Sequence, residues 1–189
     1  MIIAVQDPEA WFAIFYVLSF AVSLLLFIVF ATKSKIPVRS VLLTLTAVSL
    51  CMIVGSRLST IPVSEWGKII VTGNFEGYQD RHAVGGLLFG LAGFILCQKV
   101  LVLNKTIINL YAWITPVGLG IQKIGCFLNG CCFGKPSDLP WSVQYARSTN
   151  AHFHHWINGL IDENALLSLR VHPVQLYEAI LFLTISFIV

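Results

Sequence analysis

The sequence predicts an all-α protein, a polytopic bundle of transmembrane helices with an outward-facing loop domain. Two observations lead to this prediction. Of the 189 residues, 57% are hydrophobic and only 11% are charged, whereas about 25% of the residues in an average soluble domain are charged. The charged residues are also separated by long uncharged stretches, which is the pattern of helices that cross a bilayer.

Five stretches are predicted to span the membrane. Residues 11–32 carry no formal charge over 22 positions, and a helix of that length extends about 33 Å, enough for a hydrocarbon core of roughly 30 Å. The other predicted spans are residues 40–56, 82–98, 106–122 and 173–189. We expect the last helix to be truncated at Val189, because the chain is still apolar where it stops. Residues 1–189 are predicted to form a single membrane domain.

The basic residues predict the orientation of these spans. Two short loops contain basic but no acidic side chains: Lys33, Lys35 and Arg39 in one, Lys99 and Lys105 in the other. Lys and Arg concentrate in cytoplasmic loops, so the N-terminus and the loops 58–81 and 135–171 are predicted to lie outside. The net charge of +3 is spread along the chain. Nucleic-acid binding requires a clustered basic patch, so no nucleic-acid partner is expected.

The segment from Gln122 to Gly134 reads QKIGCFLNGCCFG and places Lys123 at the end of the fourth predicted span. One interpretation is a lysine that marks the membrane interface. The other is a phosphate site, because polar groups at membrane depth indicate function and glycines let backbone N–H groups approach an anion. A lipid headgroup is the anion most available there. Arg57, at the end of the second span, is predicted to supply a second positive group.

Three cysteines lie in the same segment, at positions 126, 131 and 132. A disulfide, a metal site and close packing are all open for them. We expect no metal site, because the spacing lacks the two-residue gap of a zinc or redox pair. Adjacent cysteines such as Cys131 and Cys132 also bridge each other poorly. The nearby His152, His154 and His155 are predicted to form a solvated loop face.

A third motif, HPVQLYE, runs from His172 to Glu178. Pro173 suits the first turn of a helix, so the fifth span is predicted to start there. Glu178 then lies about one and a half turns inside, where its pKa should rise or a cation should pair with it. The alternative is an interfacial carboxylate favoured by the helix N-terminus. A histidine, a tyrosine and a carboxylate together suit general acid and base catalysis.

Together these segments resemble the prolipoprotein diacylglyceryl transferase family. The resemblance rests on motifs that follow the family's order along nearly the whole chain: KIGCFLNGCCFG at 123–134, Leu139, Pro140 and Trp141, HPVQLYEA at 172–179, and the weaker GSRL at 55–58 and GGLLFG at 85–90. The chain departs from the family's pattern at Cys126, where an asparagine is common, and at Cys131, where a glutamate is common.

The resemblance implies a multi-pass enzyme of the bacterial inner (plasma) membrane, with its N-terminus outside and its site facing outward. Such an enzyme moves a diacylglyceryl group from phosphatidylglycerol to the lipobox cysteine of a lipoprotein precursor, without a metal or a dissociable cofactor. The predicted catalytic residues are His172, Glu178 and Tyr177. The predicted substrate-binding residues are Lys123, Arg57, Asn129, Gly130, Gly134 and Arg170.

Two other classes of function stay open at this point. A noncatalytic lipid-binding relative would keep the helix bundle and Lys123 but would tolerate the loss of His172 and Glu178. A membrane thiol redox protein would instead depend on the three clustered cysteines, so replacing them separates it from both lipid interpretations.

Overall fold

The protein is described here by a computed structural model that covers residues 1–73, 82–101 and 105–188. Residues 74–81 of the predicted outer loop 58–81, and Val189, lie outside this description. The described residues are mostly helical. Their elements are β1 (Ile2–Ile3), α1 (Pro8–Lys33), α2 (Val38–Leu58), a 3-10 turn (Val63–Glu65), α3 (Trp66–Thr72), α4 (Ala83–Val100), α5 (Lys105–Asn129), β2 (Gln144–Tyr145), α6 (Asn150–Ile157) and α7 (Val174–Ile188).

A helix occupies each of the five stretches predicted as spans. Within the described residues, α1 and α2 are both long enough and apolar enough to cross a membrane, and the apolar stretches Val84–Val100 and Val174–Ile188 are shorter. The start of α1 is locally encoded: Asp7 Oδ1 accepts a hydrogen bond from the N–H of Ala10 at 3.1 Å, as an N-cap carboxylate does. Pro8 takes the first helical position, where a missing N–H costs nothing.

The fourth predicted span ends earlier than the helix that contains it. Lys123 suggested an end at Gln122, whereas α5 continues to Asn129. The helix ends there because Gly130 adopts a left-handed φ of 68°, a conformation that glycine reaches without steric penalty. Lys123 and Cys126 are therefore helical residues, and only Cys131 and Cys132 belong to the turn that follows.

The chain divides into two compact units, Met1–Val29 with Asn109–Val189 (unit 1) and Phe30–Ile108 (unit 2). In unit 2, α2 packs closely against α4. A Cβ atom added to Gly85 would lie 2.6 Å from the carbonyl oxygen of Gly55, so only glycine permits this approach of the two backbones. The single membrane domain stays a prediction.

In unit 1, α5 packs against both α1 and α7. A Cβ atom on Gly125 would lie 2.7 Å from Cβ of Phe15 in α1, and one on Gly120 would lie 2.9 Å from Cγ of Leu183 in α7. Glycines on two sides of α5 thus allow close packing with two neighbours, which is how small residues bring membrane helices together.

The segment 135–171 folds onto the end of α5 with the N-terminus of the chain. β1 pairs with β2 in parallel, with Ile2 opposite Gln144 and Ile3 opposite Tyr145. A buried apolar cluster forms beneath this pair: Ile3, Phe127, Val143, Tyr145, Ala151 and Val171. The segment thus packs around a core that it shares with β1 and α5, and the side of the membrane that it faces stays a prediction.

The prediction of a solvated histidine face is wrong for two of the three histidines. His152 and His155 are buried, at 3% and 2% exposure, whereas His154 is exposed. Residues three apart share one side of a helix, so α6 turns His152 and His155 inward together. His152 Nε2 hydrogen-bonds the Ala165 carbonyl oxygen at 2.7 Å, and the N–H of Leu169 donates to His155 Nδ1 at 3.3 Å.

We predict that His155 makes this segment sensitive to acid. Burial lowers the pKa of His155, and His154 and His152 lower it further, while an unfolded histidine titrates near 6.5. The unfolded state therefore takes up a proton that the folded state refuses, so stability is lost as the pH falls below about 6.5. Protonation also removes the acceptor for the Leu169 N–H. Hydrogen exchange of the Leu169 amide, corrected for its chemical rate, should accelerate between pH 7.5 and pH 5.5.

His155→Gln should weaken this acceleration, because its side chain cannot be protonated. His82→Gln, which changes an exposed histidine of unit 2, should leave it intact. An unchanged pH dependence in His155→Gln would show that another group controls the segment.

Candidate functional site

A short ion pair joins α5 to α7. Lys123 Nζ lies 2.6 Å from Glu178 Oε2, and the two side chains are 21% and 36% exposed. The sequence predicts that a cation should pair with Glu178, and Lys123 is that cation. Both groups are partly accessible, so a charged substrate group can reach them without unfolding either helix.

The second polar group lies at the start of α7 and consists of His172, Tyr177 and Trp141. The Trp141 Nε1–H donates to the Tyr177 hydroxyl oxygen at 2.7 Å, and His172 Nδ1 lies 3.3 Å from the same oxygen. The rings of His172 and Tyr177 meet edge to face, with centroids 6.2 Å apart. Tyr177 and Glu178 are neighbours in sequence, so α7 contributes one residue to each polar group.

The glycines of the segment 122–134 shape a turn. The N–H of Gly130 donates to the Phe127 carbonyl oxygen at 3.3 Å, and that of Cys131 donates to the Cys126 carbonyl oxygen at 3.2 Å. These are the two hydrogen bonds of a Schellman helix end. The Gly134 N–H donates to the His172 carbonyl oxygen at 3.0 Å. These three N–H groups are already engaged, so the expected cradle of free N–H groups does not form from them.

Gly134 brings this turn against the start of α7. A Cβ atom there would lie 2.5 Å from Cγ2 of Val174 and 2.8 Å from Cβ of His172. Real side chains do not approach so closely, so a larger residue would displace His172. Gly134 therefore contributes to the site by holding the His172 backbone in place.

Gln175 and Asn129 are buried polar residues beside the same turn. Gln175 is fully buried, and its Nε2 donates to the Cys131 carbonyl oxygen at 2.6 Å and to the Tyr145 hydroxyl at 3.2 Å. Burial raises the pKa of Tyr145 well above its ordinary value, so this hydroxyl stays protonated. Asn129 Oδ1 is buried without a hydrogen-bond partner among the described residues.

The two predicted arginines differ in their surroundings. Arg170 belongs to unit 1, where its Nε donates to Ser142 Oγ at 2.9 Å and its Nη2 to the Leu139 carbonyl oxygen at 3.4 Å. It thus holds the two ends of the turn that contains Trp141. Arg57 is an exposed residue of α2 in unit 2, whereas all other predicted site residues lie in unit 1.

Three sulfur atoms also meet at the end of α5. The Sγ atoms of Cys126, Cys131 and Cys132 all lie within 4.8 Å of one another, and all three cysteines are free. We call these three residues the thiol cluster. Within the described ranges, their spacing is that of side chains that could hold a metal ion. Cys126 is buried, whereas Cys132 is exposed.

An open apolar groove of about 480 Å³ lies beside the His172 group. Its walls include Trp141, Pro173, Leu176, Tyr177 and Ile180. Trp141 and Tyr177 therefore take part in the hydrogen-bonded group and in the apolar wall. A molecule with a polar head and a hydrocarbon part could contact both features at once.

Sequence reasoning did not assign a site role to Trp141 or Ser142. Trp141 lies in the motif LPW, which is part of the family resemblance, so the sequence did contain a signal for its role. Ser142 follows Trp141 directly and is fully buried, but nothing in its sequence context indicates that it holds Arg170.

Comparison with known proteins identifies the family. The family model described as prolipoprotein diacylglyceryl transferase matches residues 3–189. Relatives named phosphatidylglycerol–prolipoprotein diacylglyceryl transferase include one from Bordetella avium, 35% identical over 50% of this chain and 32% of its own length. Another, from Campylobacter jejuni, is 24% identical over 95% of this chain and 64% of its own length.

A third relative of the same name, from Clostridium tetani, is 29% identical over 54% of this chain and 36% of its own length. The chain thus spans between about a third and just under two thirds of the length of these relatives. The family match covers nearly every residue, and the matched segments include both polar groups of the site. The chain belongs to the prolipoprotein diacylglyceryl transferase family.

Proposed function

We propose that this protein transfers a diacylglyceryl group from phosphatidylglycerol to the cysteine thiol of a lipoprotein precursor. The names of the relatives describe this reaction for those proteins, and family membership supports carrying it to this chain. The observation that supports it most directly is that consecutive residues of α7, Tyr177 and Glu178, contact His172 and Lys123 respectively. The Lys123–Glu178 pair is suited to bind the phosphate of the lipid, and the group of His172 and Tyr177 is suited to remove the proton of the thiol.

We further propose a polytopic protein of the bacterial inner membrane, with its N-terminus and the segment 135–171 on the outer side. The apolar helices α1 and α2 support membrane insertion. The Lys and Arg residues of the two short basic loops support the orientation. Phosphatidylglycerol would then enter sideways from the bilayer, and the precursor's lipobox cysteine would approach from outside.

Lys123 is the proposed ligand for the lipid phosphate. An ammonium group has three donors, and the pairing with Glu178 uses one of them. Among the described residues Glu178 is the ion-pair partner of Lys123, so the remaining donors can bind phosphate oxygens while Glu178 keeps the lysine in position. The glycines and Asn129 contribute by shaping the turn below Lys123. Arg170 is proposed to add positive charge near the headgroup, and the role of Arg57 stays a prediction from the sequence.

The apolar groove suits the hydrocarbon next to the glycerol. Leu176 and Ile180 lie in its wall, one turn apart on α7. Burial of apolar surface contributes roughly 25 cal/mol per Å², so even a short part of an acyl chain in the groove would stabilise the complex. This contact would hold the glycerol carbon between Lys123 and His172.

His172 is the proposed general base. The Tyr177 hydroxyl oxygen accepts a hydrogen bond from Trp141, and it can also accept a hydrogen bond from a protonated Nδ1 of His172. That tautomer leaves Nε2 free to remove the thiol proton. The thiolate is the nucleophile, and its attack on the glycerol carbon forms a C–S bond and breaks the C–O bond to phosphate. Glycerol phosphate leaves with the electron pair, and Lys123 stabilises its charge. Glu178 is the alternative acceptor of the proton.

Replacement of Lys123 tests the phosphate assignment. Lys123→Ala should lower the rate of transfer by roughly 10²–10³-fold, the cost of removing one group that stabilises developing charge. The assay uses the full natural chain in detergent, phosphatidylglycerol vesicles and a lipobox peptide, and follows the added diacylglyceryl mass. Lys123→Arg, which keeps the charge, should retain most of the activity.

Lys68→Ala is the matched control, because Lys68 also pairs with a carboxylate, Glu65, but is 74% exposed in unit 2. It should transfer at the rate of the unmodified chain. A folded Lys123→Ala variant with full activity would contradict the phosphate assignment.

Replacement of His172 and Tyr177 tests the proton transfer. His172→Gln should lower the rate by roughly 10²–10⁴-fold, the usual contribution of a general base. Tyr177→Phe should cost less but should displace the pH profile of the rate, because His172 loses the partner that fixes its tautomer. Tyr16→Phe, on the exposed surface of α1, is the control. Equal pH profiles for Tyr177→Phe and the unmodified chain would exclude the positioning role.

A further inference from the structure

The thiol cluster brings together sulfurs from two parts of the chain. Cys126 lies in the last turn of α5, and Cys131 and Cys132 follow the helix end. The three Sγ atoms lie within 4.8 Å of one another. Close packing of small residues does not require this arrangement, in which each thiol directs its sulfur toward the other two. In sequence, the spacing of these cysteines argued against a metal site; in the folded chain, their sulfurs converge.

The turn that produces this convergence is held from both sides. The Schellman bonds fold Cys131 back over Cys126, and Cys131 Sγ lies 3.8 Å from the Cys126 carbonyl oxygen. Cys132 adopts a left-handed φ of 56°, a backbone conformation that residues other than glycine rarely adopt. Gln175, on α7, donates to the Cys131 carbonyl oxygen at 2.6 Å. The thiols are thus positioned by the fold before any ligand binds.

We propose that the sulfurs of Cys126, Cys131 and Cys132 bind one thiophilic divalent cation of the zinc class. A Zn–S bond is about 2.3 Å, so sulfurs around a tetrahedral ion lie roughly 3.8 Å apart. The thiols reach that spacing by closing about 1 Å from their largest separation. The fourth position stays open for water or another ligand. Exposed Cys132 offers the path by which the ion enters.

The charges around the thiol cluster suit such an ion. Binding releases three protons to solvent, since thiolates and not thiols are the ligands. Three thiolates and one divalent cation carry a net charge of −1. Lys123 interacts electrostatically with Cys126 and Cys132, so its ammonium group would lower the electrostatic cost of this negative charge. The Asn129 side chain forms a hydrogen bond with the Cys131 sulfur that favours its thiolate form, and a thiolate is the form that binds a metal ion.

Cobalt provides the test, because Co²⁺ replaces zinc in thiolate sites and its charge-transfer absorption reports sulfur coordination. The reduced full chain in detergent, under nitrogen, should bind one equivalent of Co²⁺ with strong thiolate-to-metal absorption, and Zn²⁺ should displace it. Zn²⁺ should also protect these cysteines from alkylation, as read by mass spectrometry of peptides. Neither readout depends on transferase activity.

Cys132→Ser should raise the Kd for Co²⁺ by more than about 100-fold, since the loss of supporting contacts alone costs 10–100-fold at metal sites. Cys132 is exposed, so its replacement should not unfold the protein, and Cys126→Ser provides an independent second variant. The double variant Cys51→Ser, Cys97→Ser is the control and should bind Co²⁺ normally. The proposal is overturned if reduced protein shows no charge-transfer absorption, if Cys132→Ser binds unchanged, or if absorption is lost only in the control.

Discussion

The ion pair between Lys123 and Glu178 is the interaction on which the rest of the site depends. It connects α5 to α7, with Lys123 Nζ 2.6 Å from Glu178 Oε2. In the proposed membrane setting a lone charge on an apolar helix is costly, so each residue lowers the cost of the other. The pair occupies one of the three ammonium donors of Lys123, and the proposed phosphate binding uses the other two.

The segment 135–171 keeps the second polar group in place without a long secondary-structure element. Arg170 ties Ser142 and Leu139 together, which positions Trp141 for its bond to Tyr177. Gly134 has no side chain and so lets the turn pack closely against His172. These contacts are short-range and mutually dependent, so the orientation of His172 depends on the folding of the whole segment. Acid sensitivity at His155 would therefore reach the site through packing.

The sequence predicted the helices well because bilayer-length apolar runs and their charged boundaries are local signals. It also predicted a cation partner for Glu178, since a carboxylate inside an apolar helix needs one. It did not predict that α5 continues past Lys123, because only the left-handed conformation of Gly130 stops the helix. The pairing of β1 with β2, which places Ile2 opposite Gln144, is only two residues long and joins segments that are distant in sequence. No sequence pattern therefore predicts it. The burial of His152 and His155 had a signal, their spacing of three, which the cluster of polar residues obscured.

A double-mutant cycle on the ion pair tests the central claim that Lys123 and Glu178 act as one unit. The rates of diacylglyceryl transfer are compared for the unmodified chain, Lys123→Ala, Glu178→Gln and the combination of both. The account predicts that the double variant is about as slow as the slower single variant, because residues that act as a unit lose their function together. Losses that multiply in the double variant would contradict it, since they would mean that the two residues contribute independently.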